Sequence, residues 1–371
     1  MKILYVTTIG TTMGFFKNFI KKIVDLNHVV EIATNEIISP VSDFYKNTNC
    51  KINHIDSSRS PFSKSNFIAY KQLKKLLNTN EYDIVHCHTP VAAMLTRLAA
   101  RKARKKGTRV IYTAHGFHFF KGAPLLNWLI YFPIEWICSF FTDTIITINS
   151  EDYNFAKKYF HAKEIKYVHG VGIDTKKFSK KEINKNEILK ELNIPTTAKI
   201  LFSVGELNKN KNHKTVIKAL SEIEDNNIYY LIAGEGSLKD ELADYTKELK
   251  IEDRVKFLGY RNDIPDLLCT TDIFCFPSYR EGLPVSVMEA MASGLPIIAS
   301  NIRGNVDLID SGKGGFLCSP DNTDTFKESI KILLENKALR EEFGKYNQKK
   351  IEAFSLDSVT KEMTAIYEIK E

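Results

Sequence analysis

Ser278-Tyr279-Arg280-Glu281-Gly282-Leu283-Pro284-Val285-Ser286-Val287-Met288-Glu289-Ala290-Met291-Ala292-Ser293-Gly294-Leu295-Pro296 decides the reading of this chain. It follows the apolar run Asp272-Ile273-Phe274-Cys275-Phe276-Pro277, which reads as a buried strand. Glu281 then falls in a strand-to-helix turn, Gly282-Leu283-Pro284 opens a helix, and Glu289 lies about a turn and a half inside it. Pro284 suits the first helical position, where its missing N–H has no intrahelical partner to lose. The free N–H groups and positive dipole end of such a helix attract a phosphate. Glu281 and Glu289 can then accept hydrogen bonds from hydroxyls on either side of that phosphate, one on a sugar and one on a ribose. An ordinary buried helix would account for Ala290, Met291, Ala292 and Gly294 equally well. It would leave the two carboxylates flanking Gly-Leu-Pro as coincidence.

Around this stretch, apolar runs alternate with helical patterns along the whole chain. In the first half, residues 3–8, 29–34, 84–88, 110–113 and 144–149 read as strands, with helices over 15–26, 67–77, 92–105 and 125–140. In the second, 200–204, 229–233, 255–258, 273–276, 296–299 and 315–318 read as strands between helices with Lys- and Glu-rich faces. Such alternation is the signature of parallel sheets with helical crossovers, an α/β fold. A chain of 371 residues accommodates two domains with separate cores. The boundary falls at Gly170-Val171-Gly172-Ile173-Asp174 and the charged stretch 175–186. A helix pair follows near 326–334 and 339–351, and 355–370 reads as a last helix with Ser355 as its N-cap.

Charge divides unevenly. Residues 1–185 hold 28 Lys and Arg against 14 Asp and Glu, whereas 186–371 hold 24 against 31. A basic half joined to an acidic half fits two domains with different partners better than a uniform nucleic-acid binder, and no nucleic-acid-binding motif is present. The six cysteines (Cys50, Cys87, Cys138, Cys269, Cys275, Cys318) form no Cys-x-x-Cys pair and read as structural thiols of a reducing cytosol. Residues 1–8 enter a strand directly, without the pattern of a signal peptide. The most apolar region, 123–141, contains Pro124, Asn127, Pro133 and Glu135. An acidic residue at the centre of a spanning helix costs about 2.5–3.5 kcal/mol, so this region is not read as transmembrane.

At Glu281, Gly282, Leu283, Pro284 and Glu289 the chain resembles glycosyltransferase family 4, the retaining nucleotide-sugar transferases, and the likeness extends over nearly its whole length. The resemblance implies the GT-B fold, with two Rossmann-like domains facing each other across a cleft. Residues 1–173 would bind the acceptor and 174–354 the donor, and the helix 355–371 would pack back on the first domain. Gly172-Ile173-Asp174 followed by Phe178 also resembles that family's interdomain linker.

Parallel sheets bind ligands beyond the carboxyl ends of their strands, so residues just past each predicted strand count most. Gly10 and Gly14 could bring backbone close to a phosphate, although they lack the Gly-x-Gly-x-x-Gly order of dinucleotide sites. By resemblance, His115 is the Thr-x-His-Gly histidine beside the donor sugar and forms the catalytic set with Glu281. His88 and His118 are candidate acceptor or sugar contacts, and His86 reads as structural. Lys211 resembles the lysine of the family's diphosphate clamp, with Lys209 a second candidate cation. The clamp's arginine position holds Glu206, whose carboxylate cannot donate the bidentate bonds of a guanidinium. Either Lys209 or a basic group of the first domain compensates, or Glu206 orients Lys211. Arg261, Gly282 and Leu283 would edge the nucleotide, and Glu289 the ribose. No Asp-x-Asp triplet and no His/Cys cluster at metal-ligand spacing occurs in the sequence, so neither metal nor cofactor is expected. Lys211 and the helix N-terminus would instead stabilise the departing diphosphate.

Arg97, Arg101, Lys102, Arg104, Lys105, Lys106 and Arg109 cluster in the first half. Lys17, Lys21, Lys22 and Lys121 stand close in sequence to Phe15, Phe16, Phe19, Phe119, Phe120 and Trp128. Basic residues beside aromatics suit a surface resting on an anionic bilayer. The segment from Thr113 through His115, Gly116, His118 and Lys121 to Gly122 resembles transferases of bacterial capsule, exopolysaccharide or O-antigen assembly. That resemblance implies transfer of a hexose or N-acetylhexosamine from a UDP-linked donor to a polyprenyl-diphosphate-linked or glycan acceptor. The protein would be cytoplasmic and peripheral on the inner face of the cell membrane. A sugar-nucleotide 2-epimerase of the same fold and a catalytically silent sugar-nucleotide-binding subunit are the alternatives.

Overall fold

The computed structural model describes residues 1–179 and 183–369. Lys180, Lys181 and Glu182 of the expected linker, and Lys370 and Glu371 of the expected last helix, lie outside the described residues. The chain divides into two compact units, Met1–Gly172 with the segment from Leu356 on, and Ile173–Ser355.

In the first unit β1 (Lys2–Ile9), β2 (Val29–Asn35), β3 (Lys51–His54), β4 (Ile84–His88), β5 (Arg109–Ala114), β6 (Thr144–Thr147) and β7 (Glu164–Tyr167) form a parallel sheet in the order β3-β2-β1-β4-β5-β6-β7. Helices cover both faces of its central strands, so these read in the sequence as unbroken apolar runs. The strands closing the two edges, β3 and β7, escape that reading. Lys-Ile-Asn-His and Glu-Ile-Lys-Tyr are short and polar, and no residue of either is fully buried. Edge strands of this kind carry little hydrophobic pattern to detect.

In the second unit β8 (Lys199–Val204), β9 (Ile228–Ala233), β10 (Val255–Gly259), β11 (Ile273–Phe276), β12 (Ile297–Ser300) and β13 (Gly315–Cys318) follow the order β10-β9-β8-β11-β12-β13. Each sheet reverses its direction of growth between two neighbouring strands, β1 and β4 in the first and β8 and β11 in the second. The loops leaving such a pair turn to opposite sides and open a crevice at the carboxyl ends.

Three helix expectations shift. The helix expected over 92–105 is two, Pro90–Ala99 and Arg101–Lys105, with Ala100 tightened to φ −74°, ψ −5° between them. The one expected from residue 15 begins as a 3₁₀ segment, Gly10–Phe16, before Lys17–Asp25. Pro284 caps the Val285–Ala292 helix at φ −77°, ψ 117° instead of standing inside it. The helix Leu356–Tyr367 buries Val359, Met363 and Tyr367 in the core of the first unit.

Arg97, expected on a basic surface, is fully buried. Its guanidinium lies 4.1 Å from the centre of the Tyr112 ring, its Nε donates to the Ala93 carbonyl, and its Nη2 is 2.8 Å from Glu135 Oε2. The ionic contact is not aligned as a hydrogen bond, since both atoms lack a directed partner. Tyr112 completes the group by donating to Glu135 Oε1 at 3.2 Å. Removing one member of a buried pair strands the other charge at a cost of about 3–5 kcal/mol, whereas replacing both by apolar groups is often neutral. Glu135→Ala should therefore lower the urea midpoint sharply, and Arg97→Met with Glu135→Leu should restore most of it. An unchanged midpoint in Glu135→Ala would show that the pair carries no such strain.

Candidate active site

β8 and β11 lie side by side, with Leu201 paired to Ile273 and Phe202 to Phe274. Their outgoing loops are clasped together. The Tyr279 N–H donates to the Asn210 carbonyl at 2.8 Å, Asn210 Nδ2 donates to the Arg280 carbonyl at 3.0 Å, and Lys211 Nζ meets Glu281 Oε1 at 2.7 Å. The ammonium also stands 4.7 Å from the centre of the Phe276 ring. Glycines make room for this arrangement. A Cβ at Gly205 would crowd the Lys211 stem at 3.2 Å, and one at Gly234 would come within 2.0 Å of the Gly205 carbonyl oxygen. Asn212 takes a left-handed conformation at φ 52° to start the His213–Ser221 helix, and its Nδ2 reaches the Pro277 and Pro320 carbonyls.

Glu206 is exposed, so it is Glu281, not Glu206, that orients Lys211. Lys209 is exposed as well. Gly282 and Leu283 form the turn into the Val285–Ala292 helix. That turn is backed by a group the sequence reading missed. Buried Arg303 donates from Nε to the Glu281 carbonyl at 3.2 Å, and Gly304, at φ 81°, presses so close that a Cβ would meet the Gly282 oxygen at 2.4 Å. The place of Arg303 just past the carboxyl end of β12 is the signal that marks it. Arg261 is engaged elsewhere: Nε donates to Asp263 Oδ1 at 2.8 Å, and Nη2 is 3.8 Å from Glu191. That pairing leaves to its loop backbone any contact with a base.

Glu289 stands on the Val285–Ala292 helix, its carbonyl accepting from Ser293 and its carboxyl without a hydrogen-bond partner among the described residues. Burial raises its carboxyl to about 7, and the charge of Lys177 opposes the rise. A lysine and a carboxylate thus meet just ahead of a helix N-terminus, and a second carboxylate stands on that helix. The arrangement can hold an anion between two hydroxyl-bearing groups.

In the first unit the crevice between β1 and β4 carries different chemistry. Gly10 donates to the Ser39 carbonyl at 3.1 Å, and a Cβ there would lie 2.3 Å from that oxygen, so Gly10 serves close packing. Gly14 is exposed, with nothing within 4 Å of its Cβ position, and its backbone stays open to a ligand. His88, at the end of β4, is buried. Its Nδ1 lies 3.2 Å from Nε2 of the partly exposed His115, and its own Nε2 has no hydrogen-bond partner among the described residues. His86 sits behind it, with Nδ1 2.6 Å from the Tyr367 hydroxyl and Nε2 2.7 Å from Thr113 Oγ1. Burial holds His86 down at about 3 and His115 at about 4, and drives His88 well below the usual range. All three rings are neutral at pH 7 and act through hydrogen bonds. His88, His115, Phe15, Phe16, Phe19 and Val171 line part of a narrow cavity of about 40 Å³. His118 instead packs on Tyr131, with ring centres 4.6 Å apart.

The raised Glu289 carboxyl sets a pH dependence. Its ionised form can accept hydroxyls of a bound ligand, and only about a tenth is ionised at pH 6 against nine-tenths at pH 8. Affinity for a nucleoside diphosphate should accordingly rise about tenfold between those pH values in titration calorimetry, relative to Glu289→Gln. For stability the sign reverses. The unfolded chain loses this proton near 4.5 and the folded one near 7, so stability falls as pH rises through that window. Glu289→Gln should recover up to about 3 kcal/mol at pH 8 and nothing at pH 4. Parallel profiles for both proteins would remove Glu289 from the nucleotide site.

Comparison with known proteins places this geometry. Residues 184–350 match the model described as Glycosyl transferases group 1, and residues 2–149 match Glycosyl transferase 4-like. The chain is 39% identical over 313 residues to EpsD of Bacillus subtilis (strain 168), covering 83% of this chain and 82% of that protein. It is 33% identical over 274 residues to the UDP-Gal:alpha-D-GlcNAc-diphosphoundecaprenol alpha-1,3-galactosyltransferase of Escherichia coli, covering 72% and 70%. Among solved structures, HepE of Anabaena in complex with UDP superposes with a TM-score of 0.83 at 19% identity, covering 99% of this chain and 100% of HepE. WaaG, a glycosyltransferase involved in lipopolysaccharide biosynthesis, gives 0.74 at 17%, covering 98% and 99%. Two GT-B-type parallel-sheet domains, each matched by a glycosyltransferase model, together with this identity over most of the length, establish that the chain belongs to the glycosyl transferase group 1 and 4-like family.

Proposed function

We propose that this glycosyltransferase moves a hexose or N-acetylhexosamine from a UDP-linked donor to a polyprenyl-diphosphate-linked or glycan acceptor in bacterial surface polysaccharide synthesis. It retains anomeric configuration, needs no metal or other cofactor, and works at the cytoplasmic face of the membrane. The observation that carries the reading is the clasp of Lys211 and Glu281 at the β8/β11 crevice, one helical segment from Glu289. The lipid-linked acceptor rests on the Escherichia coli relative, whose name specifies UDP-Gal and a diphosphoundecaprenol acceptor.

In this reading the Ile173–Ser355 unit is the donor domain. Glu289 accepts the ribose hydroxyls, Lys211 and the N–H groups at the start of the Val285–Ala292 helix take the diphosphate, and Glu281 accepts sugar hydroxyls. The bond from the anomeric carbon to the β-phosphate oxygen breaks, and its electron pair stays on the diphosphate. The acceptor hydroxyl oxygen bonds to the same face of the carbon, and its proton passes to the departing phosphate oxygen. Lys211 and the helix N-terminus stabilise the charge that grows there, a role in which losing one donor typically costs ~10²–10³ in rate. The first unit serves the acceptor. Neutral His115, steadied by His88, hydrogen-bonds to the sugar or to the acceptor hydroxyl.

Incubation with UDP-hexoses or UDP-N-acetylhexosamines and a short polyprenyl-diphosphate sugar tests the reaction. The expected product keeps the anomeric configuration of the donor and forms at the same rate with EDTA. Lys211→Ala should reduce turnover by ~10²–10³ and weaken UDP binding, and Lys209→Ala should change either much less. His115→Ala should lose turnover while keeping UDP affinity. Conversion of the donor sugar without acceptor would identify an epimerase instead, and full activity of Lys211→Ala would overturn the diphosphate assignment.

A further inference from the structure

The Leu125–Ser139 helix inverts the usual surface pattern. Its inner side packs Trp128, Tyr131 and Phe132 on the core and buries Glu135, while its outer side is apolar throughout. Leu125, Leu126 and Leu129 are 81, 63 and 74% exposed, and Pro133, Trp136, Ile137 and Phe140 continue the exposed stripe at steps of three or four residues. Seven apolar positions in one unbroken row are far from the scattered single exposures of an ordinary surface. The aromatics expected on the surface contribute less, since Phe16 and Phe119 are buried.

The stripe runs into charge. Phe140 also lines a pocket of about 660 Å³ whose walls carry six cations, Lys74, Arg101, Lys102, Arg104, Lys105 and Lys163. Two of these are engaged from below, because Arg104 and Lys163 both pair with Asp143, at 3.0 and 2.8 Å. Arg101 donates from Nε to the Leu98 carbonyl. Lys102 and Lys105 are exposed and have no ion-pair partner among the described residues. No acidic side chain among the described residues lines the pocket.

We propose that this helix is the bilayer-facing surface of the protein. It lies in the plane of an anionic membrane with its outer face among the acyl chains, and the cation pocket beside it holds phosphate headgroups. Charge selects this occupant over a second copy of the chain. A two-fold contact through the stripe would bring the same cation pocket of each copy toward the other, whereas an anionic surface complements it. The helix does not cross the bilayer: no helix among the described residues is long and apolar enough to do so. The inference adds a docking surface to the membrane-face reading above, and vesicle binding needs neither donor nor acceptor, so the two can fail separately.

Both tryptophans of the chain, Trp128 and Trp136, lie on this helix, so emission excited selectively from tryptophan reports on it alone. The full chain should show a blue shift with phosphatidylcholine vesicles containing phosphatidylglycerol and little change with phosphatidylcholine alone. Lipids brominated in the acyl chain should quench the emission. Leu126→Glu with Leu129→Glu, and separately Lys102→Glu with Lys105→Glu, should each weaken partitioning at least about tenfold while UDP affinity is unchanged. Inorganic phosphate at millimolar concentration should leave binding intact beyond its effect on ionic strength, which separates a headgroup surface from a free-phosphate site. Wild-type protein that binds UDP yet neither shifts nor sediments with anionic vesicles would overturn the proposal. So would a dimer in sedimentation equilibrium that Leu129→Glu dissociates, which would assign the stripe to a second copy.

Discussion

Lys211 and Glu281 meet at 2.7 Å because β8 and β11 are neighbours in the sheet although 68 residues of chain separate their ends. The topology puts a crevice there, and the clasp of Asn210 with the backbone of Tyr279 and Arg280 fixes its width. With side chains 21 and 14% exposed, the ion pair is only partly desolvated. Its own contribution to stability is small beside its effect on geometry. It holds an ammonium over the Phe276 ring at the mouth of a helix N-terminus before any ligand arrives. Preorganisation of that kind lets a donor stabilise leaving-group charge without reorganising at the moment of reaction. Glu281 aims the lysine, and in the proposed reaction it also faces the sugar, so one substitution there would affect both.

The outline of the fold is legible in the sequence because strands buried on both faces have no choice but to be apolar. The same logic explains what stays hidden. β3 and β7 lie at sheet edges, where one side meets solvent and polar residues are tolerated. Glu281, Glu289 and Lys211 are legible because a strand end, a turn and a helix start can each be read locally. Contacts between distant segments cannot. Nothing near Arg97 in the chain announces that Glu135 will bury it, and nothing near His88 announces that its ring will meet that of His115. The acidic residue at position 206 invites a role in orienting Lys211, which folding gives to a carboxylate 70 residues away.

Burial shapes the first unit as firmly as pairing shapes the second. Packed rings hold three histidines neutral, and Tyr367 on the last helix reaches back to His86 while donating to Tyr5. The final segment of the chain is thus part of the wall behind the histidines. On another side of the same unit the Leu125–Ser139 helix uses Glu135 to anchor itself inward, which leaves only apolar residues facing outward.

The central claim is that the β8/β11 crevice holds the donor diphosphate, and a crystal structure with UDP bound tests it most directly. The account predicts phosphate oxygens within hydrogen-bond distance of Lys211 Nζ and of the first N–H groups of the Val285–Ala292 helix, with the ribose hydroxyls on Glu289. UDP bound with its phosphates away from Lys211, or with Glu289 still unpartnered, would contradict it.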